Sequence, residues 1–194
     1  IKKRRILTEI RKSSQKTYEL TENLLEWSKV QRGLIKNKPE RIDLHSIVED
    51  TFSILKYNID KKEHHTENKI PPEKFIVWAS ETLLKSILIN LINNAIKFTH
   101  KGGNVSAFAS GPVNGMIKLC IKDNGIGIPQ DKLKDIFELG NEFRQPGTDR
   151  ETGTGLGLIT VKEFVNILGG EIEVKSGNGN GTEFCITIPA NVQE

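Results

Sequence analysis

The sequence predicts an α/β (α+β) two-layer sandwich, with helices on one face of a mostly antiparallel mixed sheet. Three observations carry this. In "MIKLCIK", Ile117, Leu119 and Ile121 share one strand face while Lys118, Cys120 and Lys122 share the other; in "TEFCITI", Phe184, Ile186 and Ile188 oppose Glu183, Cys185 and Thr187 in the same way. One sheet face is therefore apolar and the other wet, so helices must cover a single side. Strand candidates also come in pairs joined by turn signals. "NVSAFAS" meets "MIKLCIK" through a Gly-Pro and Asn-Gly region, and "EIEVKS" meets "TEFCITI" through "GNGNG", where glycine and asparagine supply positive φ. Stretches with helical apolar spacing lie before and between these pairs.

The elements follow in order. From Arg5 to Ile35 there is no proline, and Leu20, Leu24, Trp27 and Leu34 recur at helical spacing. This reads as one long amphipathic helix, whose stripe needs partner helices, another chain or the main domain to cover it. "NKPERIDLHS" ends the helix at Pro39 and offers a short strand. Asp43 then caps a second helix of about 17 residues carrying Leu44, Val48, Phe52 and Leu55. The domain boundary falls near residue 38, giving regions 1–38 and 39–194. A third helix runs from Glu81 to about Phe98. A short helix is expected near 131–137, and a further one from Leu156 to Leu168, with Gly169 at its C-terminal cap.

Bulk properties narrow the function. A length of 194 residues allows one full domain plus a smaller appendage, and 36% hydrophobic with 27% charged residues describes an ordinary soluble globular chain. A net charge of +3 is too small to argue for nucleic acid, and "IKKRR" reads as the exposed start of a helix. No apolar run approaches the ~18 residues of a bilayer span, and nothing resembles a signal peptide. The two cysteines, Cys120 and Cys185, are too few for a disulfide framework and sit beside lysines and glutamate. A reduced, cytoplasmic setting is expected for this domain, within a full-length protein that can be membrane-anchored. Neither cysteine is assigned a role.

Three constellations carry chemistry. "ETGTGLGL" places Gly153, Gly155 and Gly157 at every second position, which fits neither GxGxxG nor a P-loop ending in GK[ST]. Its backbone can still approach a ligand and feeds a helix N-terminus suited to an anion such as triphosphate. "DNGIGIP" follows a strand. Asp123, beside two glycines, can accept hydrogen bonds from an exocyclic amine such as that of adenine, where guanine would present a repelled acceptor. "NLINNAIKF" stacks Ser86, Asn90, Asn94 and Lys97 on one helix face, opposite a buried stripe of Leu84, Leu88, Leu91, Ala95 and Phe98. An amide oxygen is a hard neutral ligand for Mg²⁺, and Lys97 can meet a phosphate as a point charge. Each motif alone also fits a tight turn, an Asx turn or a solvated helix face. Residues 130–152, and 139–152 in particular, have little periodicity and read as a mobile lid over the nucleotide.

In this order, "NLINNAIKFT", "DNGIGIP", "IFELGNEF" and "GTGLGL" closely resemble the N, G1, F and G2 boxes of sensor histidine kinases, within the gyrase, Hsp90, kinase and MutL superfamily. The similarity covers about residues 40 to 190. Residues 1–38 resemble the second helix of the dimerisation and phosphotransfer hairpin that precedes such domains. The resemblance implies the Bergerat ATP-binding sandwich and the transfer of a phosphoryl group from Mg-ATP to a hairpin histidine, in cis or in trans. Relay to a response regulator receiver domain and a homodimer formed through a complete hairpin follow from it.

Carried over by residue, it implies Asn94 as the Mg²⁺ ligand, Asn90 as its neighbour and Lys97 near the phosphates. Asp123 would bind the adenine amine in a pocket shaped by Gly125, Gly127 and Ile128. Gly153, Thr154, Gly155, Leu156, Gly157 and Leu158 would form the phosphate-side loop, and the Thr182 hydroxyl would support the adenine site. "FELGNEFRQ" is longer than the common "FxxFxR" form, so Arg144 is given no phosphate role. Superfamily ATPases carry glutamate where Asn90 stands; an amide cannot act as general base, which disfavours hydrolysis. None of His45, His64, His65 and His100 lies in the family's acceptor motif, and all four read as structural or surface residues. The competing expectations are a gyrase- or MutL-like ATPase and a non-catalytic nucleotide-sensing module.

Overall fold

Asp43 shows how local chemistry sets the architecture: it closes a short strand in extended conformation while its carboxylate accepts the His45 N–H, so strand and helix meet without a loop. The computed structural model describes residues 38–138, 145–149, 151 and 155–190, together with Ser14, Thr17, Thr21, Leu25 and Ser28. Strand β1 (Glu40–Asp43) leads into α1 (Leu44–Ile54) and α2 (Lys56–Lys61), followed by β2 (His65–Asn68) and β3 (Ile76–Ala79). Helix α3 (Glu81–Phe98), β4 (Asn104–Val113), β5 (Met116–Asp123), α4 (Gly157–Ile167), β6 (Ile172–Ser176) and β7 (Thr182–Pro189) complete the order.

The main sheet runs β2-β4-β5-β7-β6, and only the β2–β4 pairing is parallel. The expected mixed, mostly antiparallel sheet is what forms. Its inner face supplies Val105, Ala107, Ile117, Leu119, Ile121, Ile186 and Ile188, which join Leu84, Ile87, Leu88, Leu91 and Ile92 of α3 and Val161, Phe164 and Val165 of α4 in one core. Burying each of these aliphatic side chains contributes about 1.5–3 kcal/mol, which fixes α3 and α4 against the sheet and leaves their polar sides to build a site.

Several expectations need correction. The second helix breaks at Leu55 (φ −90°, ψ 3°) into α1 and α2. Strand β1 pairs antiparallel with β3 in a separate two-stranded sheet, a partner hidden in "FIVWAS" because four residues are too few to display alternation. Instead of a helix over 131–137 there is one 3₁₀ turn, Gln130–Lys132, with no side-chain cap to extend it. In "GNGNG" the positive φ values belong to Gly179 and Gly181 and not to the asparagines, whereas the β4–β5 turn takes them at both Asn114 and Gly115.

The cysteines also depart from expectation. Cys120 and Cys185 are directly opposed in the β5–β7 register and joined as a disulfide, a pairing that a separation of 65 residues conceals. The long N-terminal helix lies mostly outside the described residues, of which Ser14, Thr17, Thr21, Leu25 and Ser28 are helical.

Candidate functional site

Helix α3 is the wall on which the site is built. Ser80 caps it by accepting the Leu83 N–H, and its buried stripe turns Ser86, Asn90, Asn94 and Lys97 to the opposite, half-exposed side. Asn90 Nδ2 donates to the Ser86 carbonyl at 3.0 Å, so its amide is oriented by its own helix. Asn94 makes no side-chain hydrogen bond among the described residues. The Lys97 ammonium lies 4.6 Å from the centre of the Phe98 ring.

Asp123 ends β5 with only 6% of its surface exposed. Its Oδ1 accepts the N–H of Gly125 at 2.8 Å and of Thr182 at 3.2 Å, while Oδ2 has no partner among the described residues. Burial pushes its carboxyl up to about 6, against the pull of those two N–H groups. The loop that follows is held from two sides. The Ile126 N–H bonds the Phe98 carbonyl at the end of α3, and Gly179 and Gly181 of the β6–β7 turn donate to the carbonyls of Ile126 and Gly125. Gly127 is required by contact: its φ is +70°, and a Cβ there would lie 2.0 Å from the Gly177 carbonyl oxygen. The Ile128 N–H donates to Ser176 Oγ, which bonds the Gly181 carbonyl and lies 3.0 Å from the Thr182 hydroxyl. Thr182 thus meets Asp123 through its backbone N–H and spends its hydroxyl on Ser176.

The glycine loop arrives at the same helix. A Cβ on Gly157 would come within 2.8 Å of Asn90 Oδ1, so the first residue of α4 packs directly against the Asn90 amide, which a larger residue would displace. Among the described residues no side chain caps α4, and a helix start of this kind presents backbone N–H groups that suit an anion. Gly155 (φ +78°) and Leu156 precede the helix, Leu156 accepting the Thr160 N–H, and Leu158 packs at the edge of the core. Gly153, Thr154 and Arg144 lie outside the described residues. The three motifs therefore converge along α3: Gly157 at Asn90, the Asp123 loop at Phe98, and Asn94 between them. That stretch of helix spans roughly 12 Å.

Sequence reasoning missed a second cluster. Lys62, in the charged run "DKKE", is 5% exposed. Its ammonium donates to the carbonyls of Ile96 at 3.0 Å and Lys97 at 2.9 Å and to Thr148 Oγ1 at 2.8 Å, and it pairs with Glu151 at 2.7 Å. Thr148 donates its N–H to the Lys97 carbonyl and its hydroxyl to that of Thr99, and Gly147 donates to the Glu151 carbonyl. A cation thus closes the C-terminal end of α3 and ties it to Thr148 and Glu151, within the expected lid. Burial works against the Glu151 carboxylate, but Lys62 and backbone donors outweigh it and hold the carboxyl below its usual range.

Residues 79–192 match the family described as histidine kinase-, DNA gyrase B-, and HSP90-like ATPase. The chain belongs to this family. It is 31% identical over 182 residues to the histidine protein kinase DivJ of Caulobacter vibrioides, covering 93% of this chain and 30% of that one. The crystal structure of full-length ShkA in complex with AMPPNP superposes with a TM-score of 0.81 at 25% identity, over 97% of this chain and 39% of that one. The catalytic domain of the histidine kinase ThkA gives 0.67 at 25% identity over 79% of this chain. The chain spans less than a third of the length of DivJ. No described helix is long and apolar enough to cross a membrane.

Proposed function

We propose that the domain holds Mg-ATP against α3 and transfers the γ-phosphoryl group to a histidine on a dimerisation hairpin, in cis or in trans, for relay to an aspartate of a response regulator. The observation that carries this reading is the Asp123 carboxylate: one oxygen is fixed by two backbone N–H groups, and the other has no partner among the described residues and is left to accept the adenine amine. Gly125, Gly127 and Ile128 form the walls of that pocket, and Thr182 orients Asp123 from the neighbouring strand. Gly153 to Leu158 offer backbone N–H groups and the α4 N-terminus to the phosphates, with Lys97 adding a positive charge.

The donor set at α3 suits Mg²⁺, because the Asn94 amide oxygen, without a partner among the described residues, is a hard neutral ligand and phosphate and water complete the shell. Bound there, the cation neutralises charge on the transferring phosphoryl group. Asn90 has an amide where a hydrolytic enzyme needs a base, and it is already engaged with Ser86. Positioning and charge neutralisation remain as the catalytic means, with a homodimer expected when the hairpin is complete.

The test pairs calorimetric Mg-ATP binding with phosphotransfer from labelled ATP to a separately supplied hairpin. Binding together with labelling of the hairpin histidine is expected. Steady hydrolysis abolished by Asn90→Ala would favour an ATPase, and binding without transfer would favour a nucleotide-sensing module.

A further inference from the structure

We propose that Cys120 and Cys185 form a reversible thiol–disulfide site whose reaction partner is a low-molecular-weight disulfide, and whose oxidation tightens nucleotide binding at Asp123. The last clause rests on the nucleotide reading above; the thiol chemistry does not.

The two cysteines lie on the outer face of the sheet, away from the core, in directly opposed positions of β5 and β7. They are nonetheless only 3% and 4% exposed. Side chains cover them: Phe108 stands opposite Cys120 on β4 and Glu173 opposite Cys185 on β6, with the ion pairs Lys118–Glu173 and Lys122–Glu183 on either side. Lys118 and Lys122 are themselves 33% and 57% exposed, so rotation of solvated side chains opens the sulfurs without disturbing the strands. The core on the other face is continuous from α1 to β7, and the fold does not depend on a covalent staple.

The surroundings assign different roles to the two sulfurs. Lys118 and Lys122 stand two residues to either side of Cys120 on its own strand face, each paired with a glutamate, and bring positive charge to that strand, which favours the thiolate there. Cys185 lies 3.8 Å from the Glu183 carboxylate, which disfavours it. Cys120 is therefore the nucleophile. Its thiolate attacks one sulfur of the small disulfide, forms a mixed disulfide and releases one thiolate, which takes up the proton lost by Cys120. Cys185 then attacks the Cys120 sulfur, closing the protein disulfide and releasing the second small thiol with the Cys185 proton. Two equivalents of the small thiol reverse both steps and regenerate the small disulfide.

The coupling follows from register. Asp123 lies three residues beyond Cys120, and Thr182 three residues before Cys185. Lys122–Glu183 is the last β5–β7 pair, and the hydrogen bond from the Thr182 N–H to Asp123 Oδ1 comes next. A covalent tie roughly 10 Å back along both strands limits their relative motion at the point where Oδ1 must be held.

The experiment equilibrates the 194-residue chain with oxidised or reduced glutathione, counts free thiols by alkylation and mass spectrometry, and measures the Mg-ATP Kd in each state. Two free thiols are expected after reduction and none after oxidation, with the oxidised form binding roughly threefold tighter or more. Cys120→Ser and Cys185→Ser should each abolish the redox difference and bind as the reduced form does. Two alkylatable thiols at every glutathione ratio would overturn the site. Measurable but equal affinities would overturn the coupling alone. No nucleotide binding in either state, with normal thiol counts, would sink the nucleotide reading and leave the thiol chemistry standing. Stoichiometric zinc retained by the reduced chain would replace the proposal with a metal site, since Glu183 and both sulfurs lie within 4.8 Å of one another.

Discussion

Asp123 and Lys62 are both buried ionisable residues near the C-terminal end of α3, yet their surroundings are opposite in kind. Lys62 has a full set of partners: two helix carbonyls, a hydroxyl and a carboxylate. Among the described residues Asp123 has two N–H donors on one oxygen and none on the other, and no cation contributes to its raised pKa. A buried charge whose partners are complete is structural. One kept half-satisfied, at a cost in stability, is held for something that arrives. The comparison explains why the two ends of the site differ in firmness: the Lys62 cluster fixes a loop to a helix, while the Asp123 pocket is rigid in backbone but unfinished in chemistry.

The largest expected effect breaks this contrast at Asp123. Asp123→Asn removes the charge that an exocyclic amine would meet and places an NH₂ group in a position suited to accepting, so Mg-ATP affinity should fall by about 2–3 kcal/mol, roughly 30- to 150-fold. Titration by calorimetry checks this, and thermal unfolding should show a fold at least as stable as the wild type. Because the carboxyl titrates near 6, nucleotide affinity of the wild type should weaken as pH falls through that value. The Asn variant should show no such step. Equal affinities for the two proteins at pH 7.5 would remove Asp123 from the site.

Asp123 was legible in the sequence and Lys62 was not, for a physical reason. Asp123 sits in "DNGIG", where glycines after a strand mark a close backbone approach, and Asn90 and Asn94 break the apolar period of a long helix; such local rules can be read along the chain. Helix α3, the alternation of β5 and β7 and the turn before β5 are local in the same sense. Lys62 acts through carbonyls 34 and 35 residues away and a hydroxyl 86 residues away. Nothing in "DKKE" separates a lysine that folds inward from one in solvent. The opposition of Cys120 to Cys185 and the pairing of β1 with β3 depend likewise on register between distant segments.

Next in size is Lys62→Met, which keeps the length of the side chain and removes the donors. The Glu151 carboxylate and the Ile96 carbonyl lose a partner they cannot fully replace, while Lys97 and Thr148 keep each other. Because Glu151 is 35% exposed, water recovers part of the loss, and unfolding stability should drop by about 2 kcal/mol. If the cluster also positions residues 147–151 over the nucleotide, the KM for ATP should rise more than kcat falls, and Lys62→Arg should restore part of it. A drop in stability with unchanged KM would confine the cluster to the fold.

The smallest effects are the most discriminating, because the carboxylates of Asp123 and Glu151 respond to acid with opposite signs. The folded-state pKa of Asp123 lies at about 6, above its ordinary 3.8, so between those values the native state binds the proton more readily than the unfolded chain. Acidification from pH 7 towards 4 therefore relieves a cost of at most about 3 kcal/mol at this site. The folded-state pKa of Glu151 is lowered, so its pairing with Lys62 stabilises the fold above the unfolded-state value and is lost as pH falls through the folded one. Solvent screening makes that contribution the smaller of the two. Denaturant midpoints measured from pH 7.5 down to about 3 should therefore separate the two variants. Asp123→Asn should lose stability more steeply on acidification than wild type, and Glu151→Gln less steeply. The same slope in both variants would mean that one buried carboxylate is not distinguished from the other by its partners, and the division between a completed and an unfinished charge would fall with it.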